Sequence, residues 1–258
     1  MDLRLKFNED VINYDNIRPA YVDELYKDIF SYAQIDNQSS ILEIGIGTGQ
    51  ATLSFLKKGC NITAIELGNN LAEYTKNKFS AYKNINIINE DFMNVLLQSN
   101  QFDFVYSATA FHWLPQEQAF NKIKEILKPN GTIALFWNHP FPNRLDDESN
   151  IASKAIYDKY RPTDKPITEF SEKDLQKYEK ALELYGFTDI KSYMYRRTRT
   201  LSADEYIALL NTYSDHRALP ADIKYSFETE MKNAIDSIGG AINIYDTMDL
   251  YLAKNSSD

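Results

Sequence analysis

The stretch Ser40-Ile41-Leu42-Glu43-Ile44-Gly45-Ile46-Gly47-Thr48-Gly49-Gln50-Ala51-Thr52 decides how the chain is read. Ile41, Leu42, Ile44 and Ile46 form a short, nearly continuous apolar run, which suits a central strand buried on both faces. Gly45, Gly47 and Gly49 follow, and without Cβ atoms they let the backbone turn tightly and approach a ligand. Thr48 or Gln50 is expected to open a helix with Ala51, Leu53 and Leu56 along its apolar stripe. Such a unit presents backbone N–H groups and the positive end of a helix to something polar or anionic.

Working outward, the same alternation of strand and helix continues. A second strand runs from Cys60 to Glu66, with a helix starting near Leu71. A third, Ile85–Ile88, ends at Asn89-Glu90-Asp91-Phe92, and a fourth, Phe102–Ser107, runs into Ala108-Thr109-Ala110-Phe111-His112-Trp113-Leu114. Pro115 to Leu127 reads as an amphipathic helix, Lys128-Pro129-Asn130-Gly131 as a turn, and Thr132–Trp137 as a fifth strand. Strands of this length alternating with helices specify an α/β fold with a parallel, doubly wound sheet and right-handed crossovers. Upstream, Leu25, Ile29 and Tyr32 recur at helical spacing, and Pro19 fits the first turn of that helix. Downstream come a loop over 138–150, helical patterns at 151–160 and 175–185, an extended segment over 187–201, helices at 203–210 and 223–238, and a last alternating segment over 241–252.

Composition narrows the function. The chain has 258 residues, 43% hydrophobic and 25% charged, with a net charge of −9. That charge argues against a nucleic-acid partner, because phosphate binding depends on clustered Lys and Arg. No apolar stretch approaches the ~20 residues of a membrane helix, and Met1 to Phe7 lacks the apolar core of a signal peptide, so no membrane association and a cytoplasmic location are expected. The single cysteine, Cys60, reads as a strand residue. A monomer or homodimer is expected.

The glycine spacing then discriminates. A dinucleotide-binding loop reads G-x-G-x-x-G, whereas this one reads G-x-G-x-G with Glu43 two residues ahead. Glu43 to Gly49 resembles the first motif of the class I S-adenosylmethionine-dependent methyltransferases, and the later segments extend the likeness to the trans-aconitate methyltransferase-like, methyltransferase domain 11 group. The resemblance implies a Rossmann-like seven-stranded sheet, its last strand antiparallel, with a helical insertion before that strand. It divides the chain into a cofactor-covering segment (1–37), a core (38–200), a helical cover (201–240) and the final strand (241–258). It also implies S-adenosyl-L-methionine as cofactor and Glu43, Gly45, Gly47, Gly49, Glu66, Leu67, Asp91, Phe92, Ala108 and His112 as its neighbours. Glu66 closes the second strand, where a carboxylate can accept from ribose hydroxyls; Asp91 would take the adenine amino group and Phe92 pack on the ring. The spacing Y-x-x-x-R-P-x-Y over Tyr14 to Tyr21 resembles a segment that folds over the cofactor in small-molecule methyltransferases, with Tyr14 and Arg18 at the methionine end.

Methyl transfer from a sulfonium needs alignment above all. The acceptor is expected to be a small soluble molecule, methylated on oxygen or a carboxylate, since the Asp/Asn-Pro-Pro-Tyr sequence of amide- and exocyclic-nitrogen methylation is missing. His112 is the candidate base, or alternatively shapes the cofactor pocket; Tyr213 and His216, in a Thr212-Tyr213-Ser214 segment resembling that of the aconitate-type enzymes, are the other candidate catalytic residues, with Arg217 beside them. The three histidines, His112, His139 and His216, all fall where this fold puts its pocket, but their spacing supports no metal site. An NAD(P)-dependent oxidoreductase and a non-catalytic S-adenosylmethionine-binding protein are the alternatives.

Overall fold

The computed structural model describes residues 10–256 apart from Pro166, so the charged and apolar alternation of Met1 to Phe7 lies outside the described residues. Its centre is one seven-stranded sheet in the order β3-β2-β1-β4-β5-β7-β6. The strands are β1 (Ser40–Ile44), β2 (Asn61–Glu66), β3 (Ile85–Asn89), β4 (Phe102–Ala108), β5 (Leu127–Phe141), β6 (Phe187–Ser202) and β7 (Ala241–Asn255). The first five are parallel, and β7 runs antiparallel between β5 and β6. The expected doubly wound sheet with an antiparallel last strand is what forms.

Because side chains alternate across a strand, β1 feeds two cores. Ile41 packs with Leu25 and Ile29 of α2 (Asp23–Ala33) and Phe55 of α3 (Thr52–Lys58) on one face. Leu42 and Ile44 meet α5 (Gln116–Ile126) and α7 (Glu172–Leu184) on the other. A third cluster joins α8 (Ala203–Leu210) and α10 (Ala221–Ser237) to Ile242 and Ile244 of β7, so the segment inserted before the last strand has a core of its own. No helix among the described residues is long and apolar enough to cross a membrane.

Several local expectations are corrected. Pro19 does not open α2; it ends the preceding α1 (Val11–Ile17) by holding Arg18 extended at φ −68°, ψ 128°. The helix after the glycine loop starts at Thr52 rather than Thr48 or Gln50, and its buried face is Thr52, Phe55 and Leu56 while Leu53 is exposed. Lys128 to Gly131 is a bulge inside β5, looped out opposite Asp103 because Leu127 pairs with Phe102 and Thr132 with Phe104. Asn130 takes the left-handed turn there, with φ 60°. The loop expected from Asn138 begins later, since β5 continues to Phe141 along β7 after β4 has left it at the Ala108–Phe136 pair. Pro140 is tolerated because that edge of β5 no longer has a strand to donate to.

Candidate active site

The C-terminal ends of the parallel strands surround a cavity of about 350 Å³, as open α/β sheets place their ligands. Its first wall is the glycine loop. Gly45 and Ile46 N–H both donate to Ile65 O, at 2.9 and 3.2 Å, folding the loop back onto β2. Gly45 has φ +76°, and a Cβ there would stand 2.5 Å from the Ala110 Cβ, so only glycine allows the loop and the β4 turn to meet.

Glu66 is almost wholly buried behind this loop, its two oxygens accepting from Gly47 N–H and Gly68 N–H at 2.8 Å each. Burial raises its pKa, and these two N–H groups oppose the shift. Glu43 borders the cavity but is engaged inside the core: Thr52 Oγ1 donates to it at 2.7 Å. Burial pushes its carboxyl up to about 8, against the pull of Tyr106 and Thr52. Past β3, Asp91 Oδ1 accepts from Met93 N–H at 2.9 Å, and Lys122 Nζ donates to the carbonyls of Phe92, Met93 and Val95. Lys122, which no motif marked, thus holds the Asp91–Phe92 turn in place.

The opposite wall joins distant parts of the chain. Arg18 lies between the rings of Tyr14 and Tyr213, 5.0 and 4.3 Å from their centroids, and donates to Thr212 O at 3.0 Å. Asp15, beside Tyr14, is held by Lys78 at 2.5 Å and Tyr74 at 2.7 Å, which ties α1 to α4 (Asn69–Lys78). The floor is Thr109, a β-branched residue at φ +54° whose hydroxyl lies 2.5 Å from Tyr21 Oη. That conformation is unfavourable for threonine and stands where function concentrates strain; nothing in the sequence announces it.

His112 opens onto the cavity from the turn after β4. Its Nδ1 accepts a hydrogen bond from the Trp137 indole N–H at 3.0 Å. An indole N–H can only donate, so Nδ1 bears no proton and neutral His112 carries its single proton on Nε2. Burial, then the charges of Lys177 and His139, lower its pKa. With this hydrogen bond in place neutral His112 offers Nε2–H as a donor, and it acts as a base only in the tautomer that gives the bond up.

Chain comparisons bear on what this cavity serves. Residues 42–135 match the methyltransferase domain family. An uncharacterized methyltransferase of Schizosaccharomyces pombe is 27% identical over 245 residues, covering 92% of this chain and 90% of that protein. A probable S-adenosylmethionine-dependent methyltransferase of Saccharomyces cerevisiae is 32% identical over 148 residues, 55% of this chain and 50% of that protein. The chain is an S-adenosylmethionine-dependent methyltransferase. Among solved structures, a putative type II methyltransferase from Anaeromyxobacter dehalogenans shares the fold at a TM-score of 0.67 and 15% identity, covering 93% of this chain and 99% of that one.

In this methyltransferase, Tyr14, Arg18, Glu43, Gly45, Gly47, Glu66, Leu67, Asp91, Phe92, Ala108, His112 and Tyr213 all border the cavity. Gly49 does not: a Cβ on it would stand 2.4 Å from the Phe79 ring, so this glycine serves packing between the loop and α4. His216 is corrected as well. The short α9 (Ser214–Arg217) turns Ser214 toward the cavity and His216 into the cover's own core, where its Nε2 lies 3.1 Å from Tyr157 Oη and its ring packs on Phe227. Burial lowers the His216 pKa to about 4, against the opposing charge of Asp215. Arg217 also stays off the cavity wall, whereas Asp215 beside Ser214, and Asn138 and Pro140 from the start of the expected 138–150 loop, are on it. His139 misses this cavity and borders a smaller one next to it.

Proposed function

We propose that this methyltransferase moves the methyl group of S-adenosylmethionine to an oxygen of a small acceptor, and that this oxygen belongs to a carboxylate. The observation that carries the reading is the Trp137-to-His112 hydrogen bond of 3.0 Å. It leaves the cavity with an imidazole N–H donor, suited to orienting an anionic oxygen, and without an imidazole base. A carboxylate is already ionised and needs none. The size of the cavity, about 350 Å³ and roofed by Tyr213, Ser214 and Asp215, favours a small molecule over a macromolecular chain.

The residues fit the cofactor. Gly47, at φ +57°, has no atom closer than 3.9 Å to a Cβ position, the nearest being the Tyr14 ring, so the loop is uncrowded there. Glu66, oriented by two backbone donors, keeps lone pairs for the ribose hydroxyls. Asp91 and Phe92 would receive the adenine, Leu67 and Ala108 line its path, and Tyr14 and Arg18 would meet the methionine end. When bound, the cofactor supplies an electrophilic methyl group and leaves as a neutral thioether. The chain's own part is alignment: Tyr21 braces Thr109 beneath the site, Tyr213 closes it, and His112 Nε2–H holds the acceptor oxygen in line.

The test is turnover with methyl-labelled cofactor on skeleton-matched acids, alcohols, phenols and amines, read by mass spectrometry. Methyl esters are expected, with a rate that is flat in pH above the acceptor's own carboxyl pKa because no proton leaves the nucleophile. Products methylated at nitrogen, or a hydroxyl methylated with its carboxyl untouched, overturn the reading.

A further inference from the structure

The turn after β3 is built like the start of a helix that stops. Asn94 N–H and Val95 N–H both donate to Asp91 O, at 2.9 and 3.2 Å, and Asp91 Oδ1 accepts from Met93 N–H at 2.9 Å in the manner of a helix cap. No second turn follows in residues 95–101, so the carbonyls of this turn gain no helical donors. Phe92 and Val95 are buried, where a carbonyl left without a donor is costly.

Lys122, halfway along α5, supplies the missing donors. Its ammonium has three N–H groups and reaches three carbonyls, Phe92 O at 2.6 Å, Met93 O at 3.2 Å and Val95 O at 2.6 Å. It also lies 4.9 Å from the centre of the Phe92 ring. Burial lowers the Lys122 pKa, and the negative charges of Asp91 and Glu125 oppose that shift. The Phe92 carbonyl and the Met93 N–H belong to one planar peptide group. That single unit therefore takes the Lys122 ammonium on one side and gives its proton to Asp91 Oδ1 on the other. A cation on the carbonyl polarises the N–H of the same peptide, which strengthens the bond to Asp91 and holds the carboxylate in one orientation.

We propose that Lys122 is a positioning residue for the cofactor's base: through the Phe92–Met93 peptide it sets the orientation of Asp91, and with it the discrimination between a 6-amino and a 6-oxo purine. The inference rests on the placement of adenine at Asp91 and Phe92 given above. Those two residues border the cofactor cavity and Lys122 stays off its wall, so the lysine acts on the ligand only through them. A carboxylate accepts from an amino group and can offer nothing to a 6-oxo group but its own lone pairs. The preference therefore depends on where the carboxylate is aimed, whereas the apolar Phe92 ring treats both purines alike.

The test measures, by calorimetry, the binding of S-adenosylhomocysteine and of S-inosylhomocysteine, its 6-oxo counterpart. The native protein should prefer the adenine compound by about tenfold or more, the usual worth of hydrogen bonds to a charged group. Lys122→Met keeps the apolar stem and removes the donors; it should weaken S-adenosylhomocysteine by about tenfold and leave S-inosylhomocysteine within about twofold. Lys122→Gln, whose amide donates to at most two carbonyls and carries no charge, should narrow the preference in the same direction. Equal weakening of both compounds marks a turn that has only loosened, and overturns the inference; so does a preference of native size in whichever variant folds. In an Asp91→Asn background Lys122→Met should change the preference no further, because the two residues act in series. A further loss there overturns the route through Asp91. Asp91→Asn also separates the two readings. If it leaves the native preference intact, adenine is not read at Asp91 and both readings fall; if it removes a preference that Lys122→Met keeps, the role of Lys122 falls alone.

Discussion

The two walls of the cavity are built differently. On the glycine-loop wall the carboxylates are satisfied by backbone N–H groups, Glu66 by Gly47 and Gly68 and Asp91 by Met93, and the Lys122 side chain holds the turn after it. On the opposite wall the partners come from far along the chain, Arg18 to Thr212 and Asn138 to Asp246, and buried groups remain unmatched, Arg18 Nε and Asn138 Oδ1. The first wall is held in place by its own backbone before any ligand arrives, whereas the second leaves buried groups without a partner. A preorganised site loses little freedom on binding, and unmatched buried groups discriminate strongly among ligands.

That contrast can be broken most forcefully at the loop. Gly49→Val puts a branched side chain at φ +84° against Phe79 and should cost about 3 kcal/mol or more of stability. Gly47→Ala, strained by φ +57° but making only ordinary contacts with Tyr14 and Gln50, should cost about 1–2 kcal/mol. Denaturant midpoints decide, and equal losses would mean the two glycines do not divide packing from binding.

Next in size is the pH response of the cover. With its pKa lowered from 6.5 to about 4, His216 is held neutral in the fold. The unfolded chain then binds the extra proton first, so the stability this contributes is full above pH 6.5 and falls as pH drops toward 4. The loss should be roughly 2–3 kcal/mol, and His216→Phe should flatten that limb in urea melts run across pH. An unchanged slope would return His216 to an exposed position.

Glu66→Ala should weaken S-adenosylhomocysteine binding by about 1.5–3 kcal/mol, the worth of hydrogen bonds to a charged group, as read by calorimetry. Unchanged affinity in a folded Glu66→Ala protein would put the ribose anchor elsewhere on that wall.

The smallest effect is expected from Trp137→Phe, which removes one buried hydrogen bond and about 1 kcal/mol. Its sharper readout is nitrogen NMR of His112: Nε2–H alone in the native protein, and a mixture of tautomers with a higher pKa in the variant. A native Nδ1–H signal would reinstate His112 as a base candidate.

Much of the fold was legible because its evidence is local. The apolar run of β1, the glycines after it and the acidic ends of β2 and β3 each lie within a few neighbouring residues, and their order implies the parallel sheet. Where local reading failed, a partner from elsewhere had intervened: β7 kept β5 extended through Pro140, and Phe79 claimed Gly49.

By itself, then, the sequence determined that the chain is an α/β methyltransferase and that Gly45–Gly47, Glu66, Asp91 and Phe92 gather at the strand ends, where they line one cavity, since strand periodicity and short motifs are properties of adjacent residues. Only the tertiary structure decided what the three histidines do. The antiparallel register that sets Trp137 opposite Asp249 brings that carboxylate to His139, while the Trp137 indole reaches His112 and the packing of α9 turns His216 inward. A histidine's role depends on which hydrogen-bond partner meets which ring nitrogen, and that partner is chosen by the sheet register and helix packing.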